Sequence, residues 1–307
     1  MKVAIYFRVA DTGSALPEAS SLPIRGCDNN KIMLELHCHT TYSDGSLTPA
    51  ELVAAAVGAG VCALAITDHD TLSGWDEAFT AAKPYQLEIV PGIELSTVCN
   101  NRSLHILGFY PDANKVHTPL NERLDGRFRR ARQMVENLAE LGYFIELPQF
   151  RAGMAPGRPH IAAALVAAGY IQSAREAFER WLGDDGPAYV HYEKFSASEG
   201  IDLLRRCGGV PVWAHPYLFR GGTVEVVLKE LVDAGLMGVE VYHPSHSRSQ
   251  VSNLERLCAE YDLLMTGGSD YHGPAPDLQA PGGSTLNMLH LPLDLLAPIK
   301  QAAQSLK

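Results

Sequence analysis

The sequence predicts an α/β fold, and three observations support this. Short apolar runs of strand length alternate with amphipathic helical stretches, a pattern typical of sheets and barrels with parallel strands. The chain has 307 residues and is 46% hydrophobic, which suits one large domain or a barrel with an insertion. Polar residues gather where successive predicted strands end, and in (β/α) barrels those ends form the active-site face.

The elements follow in order from residue 31. Residues 31–37 read as a buried strand, and a helix is expected at 48–60, with Thr48 as its cap and Pro49 in its first turn. Further strands are predicted at 61–70, 87–97, 103–110, 208–216, 237–244 and 263–272. Further helices are predicted at 74–85, 223–235 and 248–262.

The strand rhythm stops in the middle of the chain. Helices are expected there at 119–143, 158–170 and 173–183, with no buried strand from about 111 to 195. We therefore assign 31–110 and 196–307 to the barrel, 111–195 to a helical insertion that covers the active site, and 1–30 to an N-terminal extension of unknown role. A basic run on the long helix is expected to form a solvated face: Arg127, Arg129, Arg130 and Arg132.

The net charge and the cysteine spacing limit which ligands and which kinds of structural site this protein can have. The formal net charge of −10 repels polyanions, so a phosphate ligand needs a local cation or metal ions. Six widely spaced cysteines without a C-x-x-C pair exclude a zinc ribbon and indicate reduced thiols. Neither an 18-residue apolar stretch nor a signal-peptide pattern is present, and we expect a cytoplasmic protein without a membrane span.

The stretch LELHCHTTYSDGSLTPAEL, residues 34–52, contains the first candidate site. Side chains two apart on a strand point the same way, so His37 and His39 converge while Cys38 faces away. Asp44 follows in the next loop. Two imidazoles and a carboxylate in this arrangement suit a divalent metal ion.

Later strands end in residues of the same kinds. Asp68, His69 and Asp70 close the second strand, and Asp270 and His272 repeat the two-residue spacing of the opening pair. Single residues on other strands complete the set: Glu94, His105 and His215. Barrel geometry can bring all of these together, although they are far apart in sequence.

Five motifs in order resemble those of the PHP (polymerase and histidinol phosphatase) family. They are LHCHTTYSDGS, ITDHD, PGIE, AHP and GSDYH, and the resemblance covers roughly residues 32–290. It implies a distorted seven-stranded (β/α) barrel that hydrolyses phosphoesters with two or three divalent metal ions. A histidine would be expected in the role of Asp44 in histidinol phosphatases. HTTYSDGSLTP is closer to a branch with 3',5'-nucleotide bisphosphate phosphatases and 5'-to-3' exoribonuclease-like enzymes.

The resemblance also implies how the ligands divide. His37, His39, Glu94 and Asp270 would hold one ion, and a second would be held by Glu94, His105 and His215. A third would be held by Asp44, His69 and His272. Imidazole and carboxylate ligands without thiolate fit manganese, which we expect, as well as zinc or iron. Glu94, Asp270 and His215 are the residues expected to carry catalysis.

Other residues are candidates for contacts around the metal centre. Arg158 and His160, in GRPHIA, and His243 and Lys194 are expected to contact substrate. A guanidinium matches phosphate geometry, which favours Arg158 for a phosphate. Asp68 is expected to orient a ligand imidazole, since such ligands generally bond to a second group.

The sequence therefore predicts a metal-dependent phosphatase. Its specific form removes the 3'-phosphate from a 3',5'-bisphosphonucleotide to give a 5'-nucleotide. Two alternatives stay open, namely a 5'-to-3' exonuclease on short RNA or DNA and a non-catalytic, metal-dependent nucleotide-binding regulator. The expected partner is a nucleotide or a short oligonucleotide, and the sequence does not indicate an oligomeric state.

Overall fold

Eight strands form one sheet in the computed structural model, which describes residues 33–192, 194–274 and 284–307. The strands are β1 (Met33–Glu35), β2 (Val61–Ile66), β3 (Glu88–Cys99), β4 (Arg102–Phe109), β5 (Val210–Trp213), β6 (Gly238–Tyr242), β7 (Leu264–Gly267) and β8 (Leu291–Pro292). Seven lie where strands were predicted, and the two-residue β8 is additional. The expected N-terminal extension, 1–30, lies outside the described residues.

The order of strands in the sheet is β7-β6-β5-β4-β3-β2-β1-β8. β1, β2 and β3 are parallel to one another, as are β5, β6 and β7, but β4 runs antiparallel to both of its neighbours. The expectation of parallel pairing throughout is therefore wrong at β4. Asn100 and Asn101 both have positive φ, 48° and 59°, and form a tight hairpin turn that leaves no room for a crossover helix.

The segments that directly follow β1 and β7 are hydrogen-bonded to each other. His39 N–H donates to Tyr271 O (2.9 Å) and Tyr271 N–H donates to His37 O (3.2 Å). Cys38 and Tyr271 are thereby paired in an isolated parallel β-bridge. A Cβ on Gly268 would lie 2.4 Å from the Cβ of His37, so only glycine permits this approach. The result is a nearly closed, distorted barrel, as expected.

Nine helices appear in the described residues: α1 (Pro49–Gly58), α2 (Trp75–Ala82), α3 (Ala113–Glu140), α4 (Arg158–Ala167), α5 (Ala174–Ala177), α6 (Ala197–Arg206), α7 (Val224–Asp233), α8 (Arg248–Tyr261) and α9 (Leu296–Ser305). A π-helical turn, Phe178–Leu182, continues α5, and 3-10 turns occupy Pro216–Leu218 and Leu293–Leu295. Thr48 caps α1 in a capping box with Glu51, as its sequence indicates. The predicted long helix begins six residues early because Asp112 caps it, and α6 and α9 were not predicted.

Helices α3, α4 and α5 pack on one another around their own apolar cluster, which contains Met134, Leu138, Ile161, Leu165 and Trp181. They lie in the chain between β4 and β5, where the insertion was expected, and its boundaries at 111 and 195 stay a prediction. No helix in the described ranges is both long and apolar enough to cross a membrane. Cys38, Cys99, Cys207 and Cys258 are free thiols, but Cys62 is disulfide-bonded, so the expectation of reduced thiols is wrong there.

Candidate metal centre

Two histidines directly after β1 lie at the centre of the barrel mouth. Both are fully buried, and their Nε2 atoms lie 3.3 Å (His37) and 3.1 Å (His39) from Oδ1 of Asp270. The same two nitrogens lie 3.3 and 3.2 Å from Oε2 of Glu94. The convergence expected from their spacing is therefore present, and these residues lie close enough together to contact a single cation.

Glu94 connects two halves of the cluster through its two carboxylate oxygens. Oε2 faces the pair after β1 and also His69 Nδ1, at 3.1 Å. Oε1 lies 2.7 Å from His105 Nδ1 and 3.1 Å from His215 Nε2. One carboxylate between two sets of imidazoles has the geometry of a bridging ligand. Three groups that include these residues lie close enough to hold an ion: His37, Glu94 and His215; His69, Glu94 and His105; and His37, His39 and Asp270.

A further group surrounds Asp44. Its Oδ1 lies 3.3 Å from His272 Nε2 and 3.6 Å from His39 Nδ1, and its Oδ2 lies 3.7 Å from His69 Nε2. These four residues lie close enough to hold one ion, so the structure adds His39 to the expected trio. All nine residues expected to bind metal are thus in one continuous cluster.

Several buried atoms in this cluster have no hydrogen-bond partner among the residues that the structure describes. They are Nε2 of His37, Nε2 of His39, Nδ1 of His69 and Oδ1 of Asp44. A buried polar atom without a partner is costly, and these atoms all converge on the same space. Lone pairs from imidazole and carboxylate suit borderline and hard divalent cations, so the residues present fit the metal ions that the family resemblance implies.

Electrostatics in the cluster favour bound cations. Burial alone would raise the pKa of the Glu94 carboxyl, but His69, His105 and His37 outweigh it and hold that pKa well below its usual value. Burial would lower the pKa of His39, yet Asp270 and Glu94 raise it to about 10. Burial lowers the pKa of His69 to about 3, despite Glu94 and Asp44.

The carboxylate that orients a ligand imidazole is Glu240, which the sequence analysis missed. Its Oε1 lies 2.9 Å from His37 Nδ1, and its Oε2 accepts the backbone N–H of His215 at 2.8 Å. Glu240 is fully buried in β6. A single charged residue in a buried strand was the available signal, because such a charge requires a partner.

Asp68 has a different role from the one expected. It accepts hydrogen bonds from the backbone N–H of Thr40 (2.7 Å), from the Thr40 hydroxyl (2.7 Å) and from the Ser43 hydroxyl (2.6 Å). Asp68 contacts the imidazole of His39 only through Ser43, whose Oγ lies 3.3 Å from His39 Nδ1. Asp68 therefore fixes the loop that carries Asp44 instead of bonding to an imidazole.

The other aspartate beside His69 anchors helix α3. Arg127 Nε donates to Oδ2 of Asp70 at 2.6 Å, and Arg123 Nε donates to Oδ1 at 3.1 Å. The Arg127 side chain also donates to Pro156 O (3.1 Å) and to Ser96 Oγ (2.5 Å). The expected solvated face is wrong for two members of the basic run, since Arg127 is 4% and Arg130 6% exposed.

A cavity of about 170 Å³ adjoins His105 and His215. Its other lining residues are Ser103, Leu104, Arg158, Asp184, Trp213, Ala214, Leu218 and Phe219. Arg158 Nη1 donates to Asp184 Oδ1 (2.9 Å) and to Leu182 O (3.1 Å). The cavity therefore places a guanidinium next to two residues of the metal cluster.

The remaining substrate candidates lie in different surroundings. Nε2 of His243 lies 3.7 Å from Asp270 Oδ2, at the edge of the cluster. His160 Nδ1 accepts the backbone N–H of Gly157 (3.0 Å), and burial lowers its pKa. Lys194 is exposed, and within the described ranges it forms no ion pair with the cluster.

Three residues at the barrel mouth have left-handed backbone conformations: Asp70 (φ 51°), His215 (φ 32°) and Asp270 (φ 53°). Such conformations are uncommon outside glycine and concentrate at functional sites. In this chain they occur where β2, β5 and β7 give way to loops, beside or within the metal cluster.

Comparisons with known proteins agree with this geometry. The PHP domain model matches residues 35–182. The chain is 35% identical over 252 residues to a 5'-3' exoribonuclease of Haemophilus influenzae, covering 78% of this chain and 90% of that protein. It is 30% identical over 254 residues to a 3',5'-nucleoside bisphosphate phosphatase of Chromobacterium violaceum, covering 78% and 87%.

A solved structure is also similar. A Bifidobacterium adolescentis protein described as a metal-dependent phosphoesterase superposes with a TM-score of 0.76 at 32% identity, covering 88% of this chain and 96% of that one. The family match, the two relatives and the solved structure lead to one conclusion: the chain belongs to the PHP family and is a metal-dependent phosphoesterase.

Proposed function

We propose that the enzyme removes the 3'-phosphate from 3',5'-bisphosphonucleotides and releases a 5'-nucleotide and inorganic phosphate. The observation that carries this proposal is the position of Arg158, in a cavity that also exposes His105 and His215. A substrate with two phosphates needs a cation away from the reaction centre, and the net charge of −10 offers none in general. The similarity to a 3',5'-nucleoside bisphosphate phosphatase supports the same substrate class.

The nine clustered residues are proposed to hold two or three divalent ions, manganese in particular. When bound, such ions lower the pKa of a water ligand and polarise phosphoryl oxygens. Glu94 has the arrangement to join neighbouring ions, since its two oxygens face different imidazoles. His215 Nε2 lies 3.1 Å from Oε1 of Glu94, and Glu240 fixes the orientation of His37 and the backbone at His215.

Arg158 is proposed to bind the phosphate that does not react. Asp184 and the carbonyl of Leu182 both hold Nη1, and in the described chain neither Nε nor Nη2 has a hydrogen-bond partner. The guanidinium is thus restrained through one nitrogen while two others stay able to donate. A restrained donor loses little entropy when it binds, so this contact can orient the reacting phosphate.

Phosphate release tests this proposal. With added Mn²⁺, we expect a nucleoside 3',5'-bisphosphate to exceed the matching 3'-monophosphate by roughly 10- to 100-fold in kcat/KM, as a charge-assisted bond predicts. Arg158→Ala should remove most of that preference and barely change the rate on the monophosphate. Arg175→Ala is the control, because Arg175 is an exposed arginine paired with Glu179 on the outside of the insertion.

Two other results would change the assignment. Equal losses on both substrates would place Arg158 at the reacting phosphate, and no loss on either would remove it from the site. The second candidate function, a 5'-to-3' exonuclease, is supported by the 35% identity to an exoribonuclease. Faster release of nucleotides from a short 5'-phosphorylated RNA would favour it, and an absence of metal-stimulated release from every substrate would favour the non-catalytic regulator.

A further inference from the structure

The cavity beside His105 and His215 contains one carboxylate besides its one guanidinium. Asp184 lines this cavity and its side chain is 35% exposed. Its Oδ1 accepts from Arg158, while no hydrogen bond occupies Oδ2 within the described ranges. A carboxylate accepts hydrogen bonds and repels a phosphate, so the ligand group it suits is a neutral donor such as a hydroxyl.

The turn that carries Asp184 is held at both ends. Gly183 N–H donates to Phe178 O (2.9 Å), and Ala188 N–H donates to Trp181 O (3.1 Å). A Cβ on Gly186 would lie 2.3 Å from Trp181 O, so the turn packs against the preceding helical turn as closely as glycine allows. Asp184 is therefore a pre-positioned acceptor, which is what discrimination between similar ligands requires.

A second ion pair ties the same turn to the barrel. Asp185 Oδ2 accepts from Arg102 Nη1 at 2.7 Å, and Arg102 is the first residue of β4. The two neighbouring aspartates thus serve different surfaces, since Asp184 lines the cavity and Asp185 is 65% exposed. This difference supplies a matched control within one turn.

The cavity has one more polar atom without a partner. Trp213 lines it and is fully buried, and its indole Nε1 makes no hydrogen bond in the described chain. An unsatisfied buried donor beside a cavity favours a polar ligand there. Leu218 and Phe219 give the same cavity an apolar side. This combination suits the sugar and base of a nucleotide, next to the phosphate that Arg158 is proposed to bind.

We infer that Asp184 accepts a hydrogen bond from the ribose 2'-hydroxyl and makes the enzyme select ribonucleotides over 2'-deoxyribonucleotides. The inference rests on the proposed function: when a 3'-phosphate lies at the metal cluster, the sugar attached to it extends into the adjoining cavity. The 2'-hydroxyl is the sugar's substituent next to that phosphate. It is also the group by which a protein distinguishes RNA from DNA.

The test compares adenosine 3',5'-bisphosphate with its 2'-deoxy analogue. A hydrogen bond to an ionised group predicts that the wild-type kcat/KM favours the ribonucleotide by about 10- to 100-fold. Asp184→Ala should bring this ratio to within about 3-fold of unity, mainly by slowing the ribonucleotide. Asp184→Asn, which keeps an acceptor oxygen, should give an intermediate ratio. Asp185→Asn, which keeps an acceptor for Arg102 and tolerates the left-handed backbone at φ 67°, should leave it unchanged.

The outcomes separate this inference from the proposed function. A wild-type ratio near one, or a ratio that survives Asp184→Ala, overturns the inference while the function stands. Equal losses on both nucleotides would mean that Asp184 only positions Arg158, and would also overturn it. If neither bisphosphate is hydrolysed, the proposed function fails. The Kd values of adenosine 5'-phosphate and its 2'-deoxy analogue then decide, and equal values in the wild type overturn the inference.

Discussion

Removal of the Arg127 guanidinium should weaken the packing of helix α3 against the barrel. Arg127→Met keeps the apolar stem and deletes the hydrogen bonds to Asp70, Ser96 and Pro156. Asp70 stays fully buried, and its backbone N–H donates to Glu94 O at 3.0 Å. The change should therefore reduce stability and also disturb the position of Glu94.

The size of the stability loss depends on the buried Asp70 carboxylate that remains after the guanidinium is removed. Breaking a buried ion pair on one side costs about 3–5 kcal/mol, because the other charge is left without a partner. Arg123 still donates to Asp70, which places the expected loss near the lower limit, at about 3 kcal/mol. At roughly 2 °C per kcal/mol for a chain of this size, the melting temperature should fall by about 6 °C.

Thermal and urea unfolding of both proteins measure this loss. Arg206→Met is the control, since Arg206 and its partner Asp202 are 68% and 60% exposed and such pairs contribute little. A loss no larger than that of the control would refute the reasoning. So would a coupling energy near zero between Arg127→Met and Asp70→Asn in a double-mutant cycle.

The same pair predicts a pH dependence. Burial alone would raise the pKa of Asp70, but Arg123 and Arg127 hold it well below its usual value of about 3.9. A depressed pKa in the folded state contributes stability above pH 4, and this contribution is lost as pH falls through the lowered pKa. The stability difference between wild type and Arg127→Met should therefore shrink below about pH 4.

Two further predictions concern the metal centre. Glu240→Gln removes the charge that holds His37 and should weaken Mn²⁺ binding by about 10- to 100-fold in calorimetry, with circular dichroism unchanged; the same Kd as wild type would argue against this role. The ion nearest Asp44 should be the first lost on dialysis, and Mn²⁺ should restore activity better than Zn²⁺, because a carboxylate replaces an imidazole there. Three zinc ions retained equally in metal analysis would contradict it.

The candidate site could be read from sequence because it repeats one simple pattern. Residues two apart at the end of a strand share a face, which applies to His37 with His39 and to Asp270 with His272. His69 and His215 follow the ends of strands, and parallel strands bring such positions to the same face of a barrel, whereas Glu94 and His105 lie within β3 and β4. The structure accordingly places all nine residues side by side.

The residues that were missed or misjudged depend on contacts far apart in sequence. Glu240 lies 203 residues from His37, which it orients. Arg127 reads as part of a charge run until α3 packs against the barrel and buries it with Asp70. No local pattern could show that Asp184 lines the cavity, because a turn of the insertion brings it there.

By itself, the sequence determined the α/β class, the seven principal strands and the nine residues that lie together at the barrel mouth, because strand periodicity and helix capping are local. Only the tertiary structure decided which oxygen of Glu94 faces which imidazole. It also decided that His39 lies near both Glu94 and Asp44. It also decided that β4 runs antiparallel and that α3 inserts charged side chains into the barrel. These features depend on register and packing between distant segments, where burial reverses the preferences that residues such as Arg127 show on a solvated surface.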